Sequence, residues 1–378
     1  MVGIHVGWVG PFLPEISRLV DVSIDRAGLI ISVTAAGYFI ALIAAGAVSH
    51  RWSAQTILII AMVLFAAGLS GLAAAPGLRA LLAGGVVIGL GNGAIDVAAN
   101  ALIVDLNRDR LASALNYLHV LFGVGALMGP LIVGWALAWQ VSYRWIFAGG
   151  AAACAAVALA LIITPAIEVK VPEVSPELSE DGFMHLLARP IIWIIGGVLF
   201  LYVGGETGVG AWLFLYLRTA AAAGATIASS GVSLYWLGLI AGRVTGGRIA
   251  DRIGARELTI LGSAISALAL VGLIAVPRWP IVAAAMVFLI GFGYGPIFPN
   301  MVAVGANRFP SQVGRVTSII VGGGAFGGMF VPWLMGRAMA VATPRTSMEF
   351  ALAVTALMVV LSFAVRDRSA ETNFLYQL

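Results

Sequence analysis

Long apolar runs separated by short charged gaps constrain this sequence more than any other feature. Stretches able to cross about 30 Å of hydrocarbon fall near residues 1–18, 27–49, 54–75, 79–104, 111–138, 143–165, 190–217, 226–250, 256–276, 280–304, 313–340 and 346–365. With lipid as the solvent, every backbone N–H and C=O must find its partner inside the chain, and a continuous helix achieves this. Composition agrees: 61% of residues are hydrophobic and only 10% charged, with a mean hydropathy of +1.03, whereas soluble domains carry about 25% charged residues. Arg and the single lysine, Lys170, sit almost wholly in the gaps, as helix ends at a membrane surface require. The expected fold is therefore an all-α integral membrane protein of twelve transmembrane helices.

The same distribution excludes other classes. A net charge of +4 reflects topology, and no basic run with interleaved aromatics or recognition-helix pattern points to nucleic acid. Cys154 lies in an apolar run without a Cys or His companion at ligand spacing, so neither a disulfide nor a metal site is expected from it. Neither His-Glu-x-x-His nor Gly-x-Ser-x-Gly occurs, and no cofactor or enzymatic activity is expected. The first residues lack a basic n-region and a small-residue cleavage site, and read as a helix, not a removable signal.

One long polar insertion, residues 166–189, holds Glu168, Lys170, Glu173, Glu177, Glu180 and Asp181 with Pro172 and Pro176. It divides the spans six and six, predicting an N-terminal bundle over 1–165, a cytoplasmic linker over 166–189 and a C-terminal bundle over 190–378. With both termini inside, more basic residues fall on the inner face (among them Arg108, Arg110, Lys170, Arg248, Arg252, Arg256, Arg366 and Arg368) than on the outer one. The positive-inside rule thus places both termini in the cytoplasm, with a cell (inner) membrane as the expected location.

The halves repeat. An offset of 201 aligns Val2, Gly3, His5 and Gly7 with Val203, Gly204, Glu206 and Gly208, and Gly37, Gly46 and Arg51 with Gly238, Gly247 and Arg252. An offset of 202 aligns Gly89-x-Gly91-x-Gly93-x-Ile95 with Gly291-x-Gly293-x-Gly295-x-Ile297, and Gly125, Pro130 and Gly134 with Gly327, Pro332 and Gly336. Even-numbered halves in the same order are parallel repeats about an axis along the membrane normal. The alignment also predicts a shortened first span: about sixteen residues precede Glu206 in span 7 but only four precede His5, a deficit of about 18 Å at 1.5 Å per residue. Either the natural chain begins upstream of Met1 or span 1 is short at its cytoplasmic side. The glycine-rich run of span 4 lies inside an apolar helix without a preceding strand, so it reads as a close-packing surface and not a nucleotide loop.

Ionisable side chains at bilayer depth cost roughly 2.5 kcal/mol or more and mark functional positions by default. They are Asp96 in span 4, Glu206 in span 7 and Arg243 in span 8, with His5 in span 1 and His119 in span 5. Around them in sequence are Asn92, Asn100, Asn116, Asn300, Tyr202, Tyr235, Tyr294, Trp8, Trp212 and Trp236. These fall in spans 1, 4, 5, 7, 8 and 10, whereas spans 3, 6, 9 and 12 carry no mid-span charge; the expectation is one central cavity with the latter four facing lipid. Burial disfavours an ionised carboxylate and a nearby cation favours it, so alternating exposure of Asp96 can load and release a proton. The competing reading is that Asp96 pairs with Arg243 to hold helices together. Glu206 and Arg243 divide in the same way between ion coupling and structure. His5, the asparagines, His119 and the tyrosines offer donors and acceptors to a hydroxyl-rich solute, and Trp8 and Trp236 offer a ring to stack on it; each can equally link helices. Asp251, Arg252 and Arg256, between spans 8 and 9, are placed to form a gate that breaks and reforms.

At these residues the chain resembles the major facilitator superfamily, and within it the fucose:proton symporter family of sugar permeases. The resemblance rests on Asp96-Val-Ala-Ala-Asn100; Leu115-Asn116-x-x-His119 followed by Gly125-x-x-x-Gly129-Pro130; Tyr202-Val-Gly-Gly-Glu206; Tyr235-Trp236-x-Gly238 with Gly242-Arg243; and Gly247 to Arg256. It spans nearly the whole chain. It implies alternating access, proton coupling through Asp96, sugar contacts around Asn100, Asn116 and His119, and action as a monomer. His119 stands where fucose permease has a glutamine, and no acid of span 1 clearly replaces that permease's second carboxylate. Sodium is the alternative coupling ion, and efflux of a drug or metabolite the alternative activity.

Overall fold

The computed structural model describes residues 1–48, 52–106, 111–165, 186–276, 278–309 and 313–365. Among them it has thirteen α-helical segments and no strand: α1 (Val2–Leu19), α2 (Ile24–Val48), α3 (Ala54–Ala74), α4 (Leu78–Leu106), α5 (Leu111–Ala138), α6 (Tyr143–Ile163), α7 (Pro190–Thr219), α8 (Ala225–Ile253), α9 (Ala255–Ala275), α10 (Pro280–Tyr294), α11 (Ile297–Arg308), α12 (Val313–Val341) and α13 (Pro344–Phe363). Successive helices run in opposite directions, except α10 and α11, which continue one span; this defines two faces: a near face holding Met1 and the end of α2, and a far face holding the end of α1 and the start of α2. Exposed indoles stand at both, with Trp139, Trp145 and Trp279 at the far face and Trp52 and Trp193 at the near one, the positions of an interfacial aromatic belt.

Two differences from the sequence expectation have local causes. The tenth span is two helices, because α10 ends at Tyr294 and α11 begins after Gly295 and Pro296; proline supplies no N–H to continue the ladder. Counting α10 and α11 as one, eleven spans are long and apolar enough to cross a bilayer. The remaining helix, α1, has 18 residues against 30 in its repeat partner α7. The proposed linker, apart from its last residues, lies outside the described residues.

Helices α1–α6 form one bundle and α7–α13 the other. Within the first, α2 and α3 pack on α4, α3 on α6 and α1 on α5; within the second, α8 and α9 pack on α10, and α12 and α13 on α7. Glycines make the tightest approaches possible. A Cβ at Gly89 of α4 would overlap the Thr34 carbonyl of α2, and one at its repeat partner Gly291 would overlap the Tyr235 carbonyl of α8. The Gly-x-Gly-x-Gly runs are therefore backbone-to-backbone seams in both halves.

The bundles meet along α5 with α8 and along α2 with α12, plus α1 against α7. The first two seams are equivalent, since α12 repeats α5 and α8 repeats α2. Contact runs from the far face, where Arg337 pairs with Asp25 at 3.2 Å, through Trp212 packed over Gly28 and Ser233 Oγ donating to the Leu127 carbonyl at 2.8 Å. It reaches mid-depth at the Phe39 and Phe326 rings, 4.9 Å apart, and at Gly123 against Ile240. One turn further toward the near face on the same sides of α2, α5 and α8, Ile43, Val120 and Val244 are exposed. Beyond mid-depth these described positions lack the cover that the seam has nearer the far face.

Candidate functional site

Asp96 lies ten residues from the near end of α4, about 15 Å at 1.5 Å per residue. Asn100, one turn on, places its side chain back over it: Nδ2 donates to Asp96 Oδ1 at 2.8 Å and to the Asp96 carbonyl at 2.8 Å. The other carboxylate oxygen, Oδ2, accepts from the Tyr38 hydroxyl of α2 at 2.6 Å. Both partners are neutral donors, and among the described residues no cation lies within 4.0 Å of Asp96. Asn92 is one turn before Asp96 on the same side of α4 and, like Asp96 and Asn100, half-buried. Tyr38 was not among the residues expected from sequence; a tyrosine hydroxyl in mid-span beside Gly37 was the available signal.

The pairing of Asp96 with Arg243 does not occur. Arg243 instead reaches Glu206, with Nη2 3.4 Å from Oε1, and donates to the Tyr202 hydroxyl at 3.3 Å. Tyr202 and Glu206 are one turn apart on α7, so a single guanidinium spans both. The Tyr235 hydroxyl donates to the Glu206 carbonyl at 3.0 Å. Tyr202 meets Tyr294 edge to face, ring centres 5.9 Å apart. The Tyr294 hydroxyl lies 2.6 Å from Thr355 Oγ1, which itself donates to the Ala351 carbonyl. This network joins α7, α8, α10 and α13 inside the second bundle. Trp236 is buried beside Tyr235 with its Nε1 unpartnered, and Asn300 of α11 is buried with its Nδ2 unpartnered. Trp212 is committed to packing: its Nε1 donates to the Pro332 carbonyl at 2.9 Å.

His5 and Trp8 correct the expectation of a single cavity. His5 packs edge-on against Phe65 of α3 at 5.5 Å and near Phe147 of α6 at 6.5 Å, and Trp8 stacks on Phe147 at 5.6 Å. Both are buried, and both turn toward the helices expected to face lipid, not toward Asp96. Position in a span gives a side chain's depth but not its azimuth. The polar residues thus form three groups: one around Asp96, one around Glu206 and Arg243, and one inside the first bundle.

The side chains of Asn116, His119 and Asp251 lie outside the described residues. Arg252 is exposed at the near face. Arg256 donates to Glu257 Oε1 at 3.0 Å and to the Phe363 carbonyl at 3.2 Å, so it ties the start of α9 to the end of α13, where a helix presents unpaired carbonyls.

The model of the Major Facilitator Superfamily matches residues 1–332 and again 217–375. Bypass of stop codon protein 6 of Saccharomyces cerevisiae is 25% identical over 88% of this chain and 74% of its own length. The glucose/mannose transporter GlcP of Bacillus subtilis is 22% identical over 98% of this chain and 92% of its own. Among solved structures, a variant of the nucleoside transporter NupG superposes with a TM-score of 0.82 at 13% identity, covering 96% of this chain and 95% of that one.

Proposed function

The chain belongs to the Major Facilitator Superfamily and is a multi-pass membrane transporter, not an enzyme; from that premise we propose that it imports a sugar or a similar small polar solute in symport with protons. The observation that carries the reading is Asp96, a carboxylate at bilayer depth held by two neutral donors, Tyr38 at 2.6 Å and Asn100 at 2.8 Å. Glu206 has an arginine beside it, whereas Asp96 has only hydroxyl and amide partners, and a carboxylate at bilayer depth without a counter-charge is the candidate to carry the coupling proton. The likeness to a glucose/mannose transporter over nearly the full length supports a hydroxyl-rich solute, for which the half-buried Asn92 and Asn100 supply donors and acceptors.

In this reading the near face is cytoplasmic, with both termini inside and a cell membrane as the location, because the basic residues favour that face. The exposed positions below the seam then belong to an inward-open state. The two bundles rock about the site, closing the α2–α12 and α5–α8 seams at the near face as they part at the far one. Asp96, protonated from outside, releases its proton once the near-face opening admits water. Glu206, Arg243 and Tyr202 hold α7 to α8 so that the second bundle moves as one body.

The test is uptake by proteoliposomes over a panel of radiolabelled sugars, with a pH gradient, a sodium gradient or neither. Proton symport predicts accumulation of at least one sugar under an inward proton gradient alone, and loss of that accumulation in Asp96→Asn with exchange of labelled for unlabelled sugar retained. Full accumulation by Asp96→Asn would remove Asp96 from the coupling role. Accumulation driven by sodium alone would replace the coupling ion.

A further inference from the structure

A groove of about 870 Å3 opens on the lipid-facing side of the first bundle, between α3 and α6. It runs from Val63 to Ala74 on α3 and from Ser142 to Ala155 on α6, and its walls are mostly alanine. Its length, twelve residues along α3, is about 16 Å at a rise of 1.5 Å between successive residues. That is close to one leaflet of a hydrocarbon core roughly 30 Å thick. The groove exists because α3 and α6 present their smallest side chains at successive turns toward the same cleft, where larger ones would meet and fill it.

Its upper end is charged. Arg144, in the first turn of α6, reaches across the mouth and donates from Nη2 to the Ala75 carbonyl at the end of α3, 3.3 Å away. This contact fixes the guanidinium at headgroup depth and uses one of its five N–H groups. Among the described residues Arg144 has no carboxylate within 4.0 Å, and no acid lines the groove. Glu15 of α1 is engaged elsewhere, accepting from the Tyr143 N–H at 3.2 Å. Beside Arg144 the Trp145 indole is exposed, as is usual at the interface.

We propose that this groove is a binding site for one anionic phospholipid of the far-face leaflet, with its acyl chain along the alanine walls and its phosphate on Arg144. The charge distinguishes the occupant. A zwitterionic headgroup would bring an ammonium to a mouth that holds a cation and no acid. A transmembrane helix of a second copy would cover Arg144 without offering it a counter-charge. A phosphate with a net negative headgroup satisfies the guanidinium, and one such charge pairing should favour anionic lipid by about fivefold in binding.

Native mass spectrometry of the full chain, titrated with phosphatidylglycerol or phosphatidylethanolamine of identical acyl chains, tests the preference. Cross-linking in vesicles by a phosphatidylglycerol with a photoreactive acyl chain tests the place. The expected results are a preference for phosphatidylglycerol of about fivefold and adducts concentrated in residues 63–74 and 142–155. Arg144→Gln should abolish the preference and Arg144→Lys keep it. Ala67→Leu with Ala152→Leu, which fills the groove, should remove the adducts while transport activity shows the protein folded. Equal binding of the two lipids by the unmodified protein, adducts spread evenly over the lipid-facing helices, or a cross-linked dimer through the groove would each overturn the proposal.

Discussion

Asp96 is a side chain whose chemistry depends on its neighbours more than on its depth. With Tyr38 and Asn100 as its partners it has donors but no counter-charge, whereas Glu206 in the other bundle has Arg243. The identities of both acids were plain in the sequence; their partners were not, because Tyr38 lies 58 positions from Asp96 and Arg243 lies 37 from Glu206. Tyr38 also links α2, which forms part of the inter-bundle seam, to the acid of α4. A hydrogen bond to a charged group contributes about 1.5–3 kcal/mol, so Tyr38→Phe should lower proton-driven uptake about tenfold or more by leaving Asp96 poorly held. Initial rates with and without a pH gradient measure this; a variant that loses gradient-driven uptake yet keeps sugar exchange fits the assignment.

Among the helices, the glycine seams and the far-face closure make separate demands. Gly89 sets the distance between α4 and α2, and a side chain there meets backbone, which cannot rotate away. Gly89→Leu should therefore destabilise the first bundle by more than the usual cost of overpacking, about 1–3 kcal/mol. By contrast Gly322→Ala should be tolerated, since its Cβ would meet only the edge of the Phe39 ring at 3.8 Å. Thermal unfolding of the purified variants distinguishes the two. At the far face the Asp25–Arg337 pair joins α2 to α12, and with the Arg337 side chain 57% exposed it contributes at most about 1 kcal/mol. That is enough to bias two states of similar energy. Asp25→Asn should raise the rate at which a membrane-impermeant maleimide labels Ala211→Cys, which is buried at the α1–α7 contact, by about two- to fivefold. An unchanged rate would mean that apolar contacts alone keep the far face shut.

For the molecule as a whole, the seams are closed from the far face to mid-depth, and the described side chains one turn beyond are exposed. Val120 on α5 and Val244 on α8 continue that seam and are exposed, so cysteines at the two positions should remain apart in this state and join when the near face closes. Oxidation of the Val120→Cys, Val244→Cys protein during turnover should then arrest uptake, and reduction restore it; Cys154 is buried and adds little background. The sequence alone determined the spans, the two parallel halves, the glycine seams and the identity of the buried acids. Each follows from hydropathy, residue spacing or the cost of charge in hydrocarbon, and none needs a knowledge of how a helix is rotated. Rotation is what the tertiary structure decided. It turned His5 and Trp8 into the first bundle, gave Arg243 to Glu206, brought Tyr38 to Asp96, and left Val120 and Val244 exposed. In water a helix betrays its buried side by the contrast of apolar and polar residues. In lipid both sides are apolar, so the azimuth of each side chain is fixed only when the helices pack.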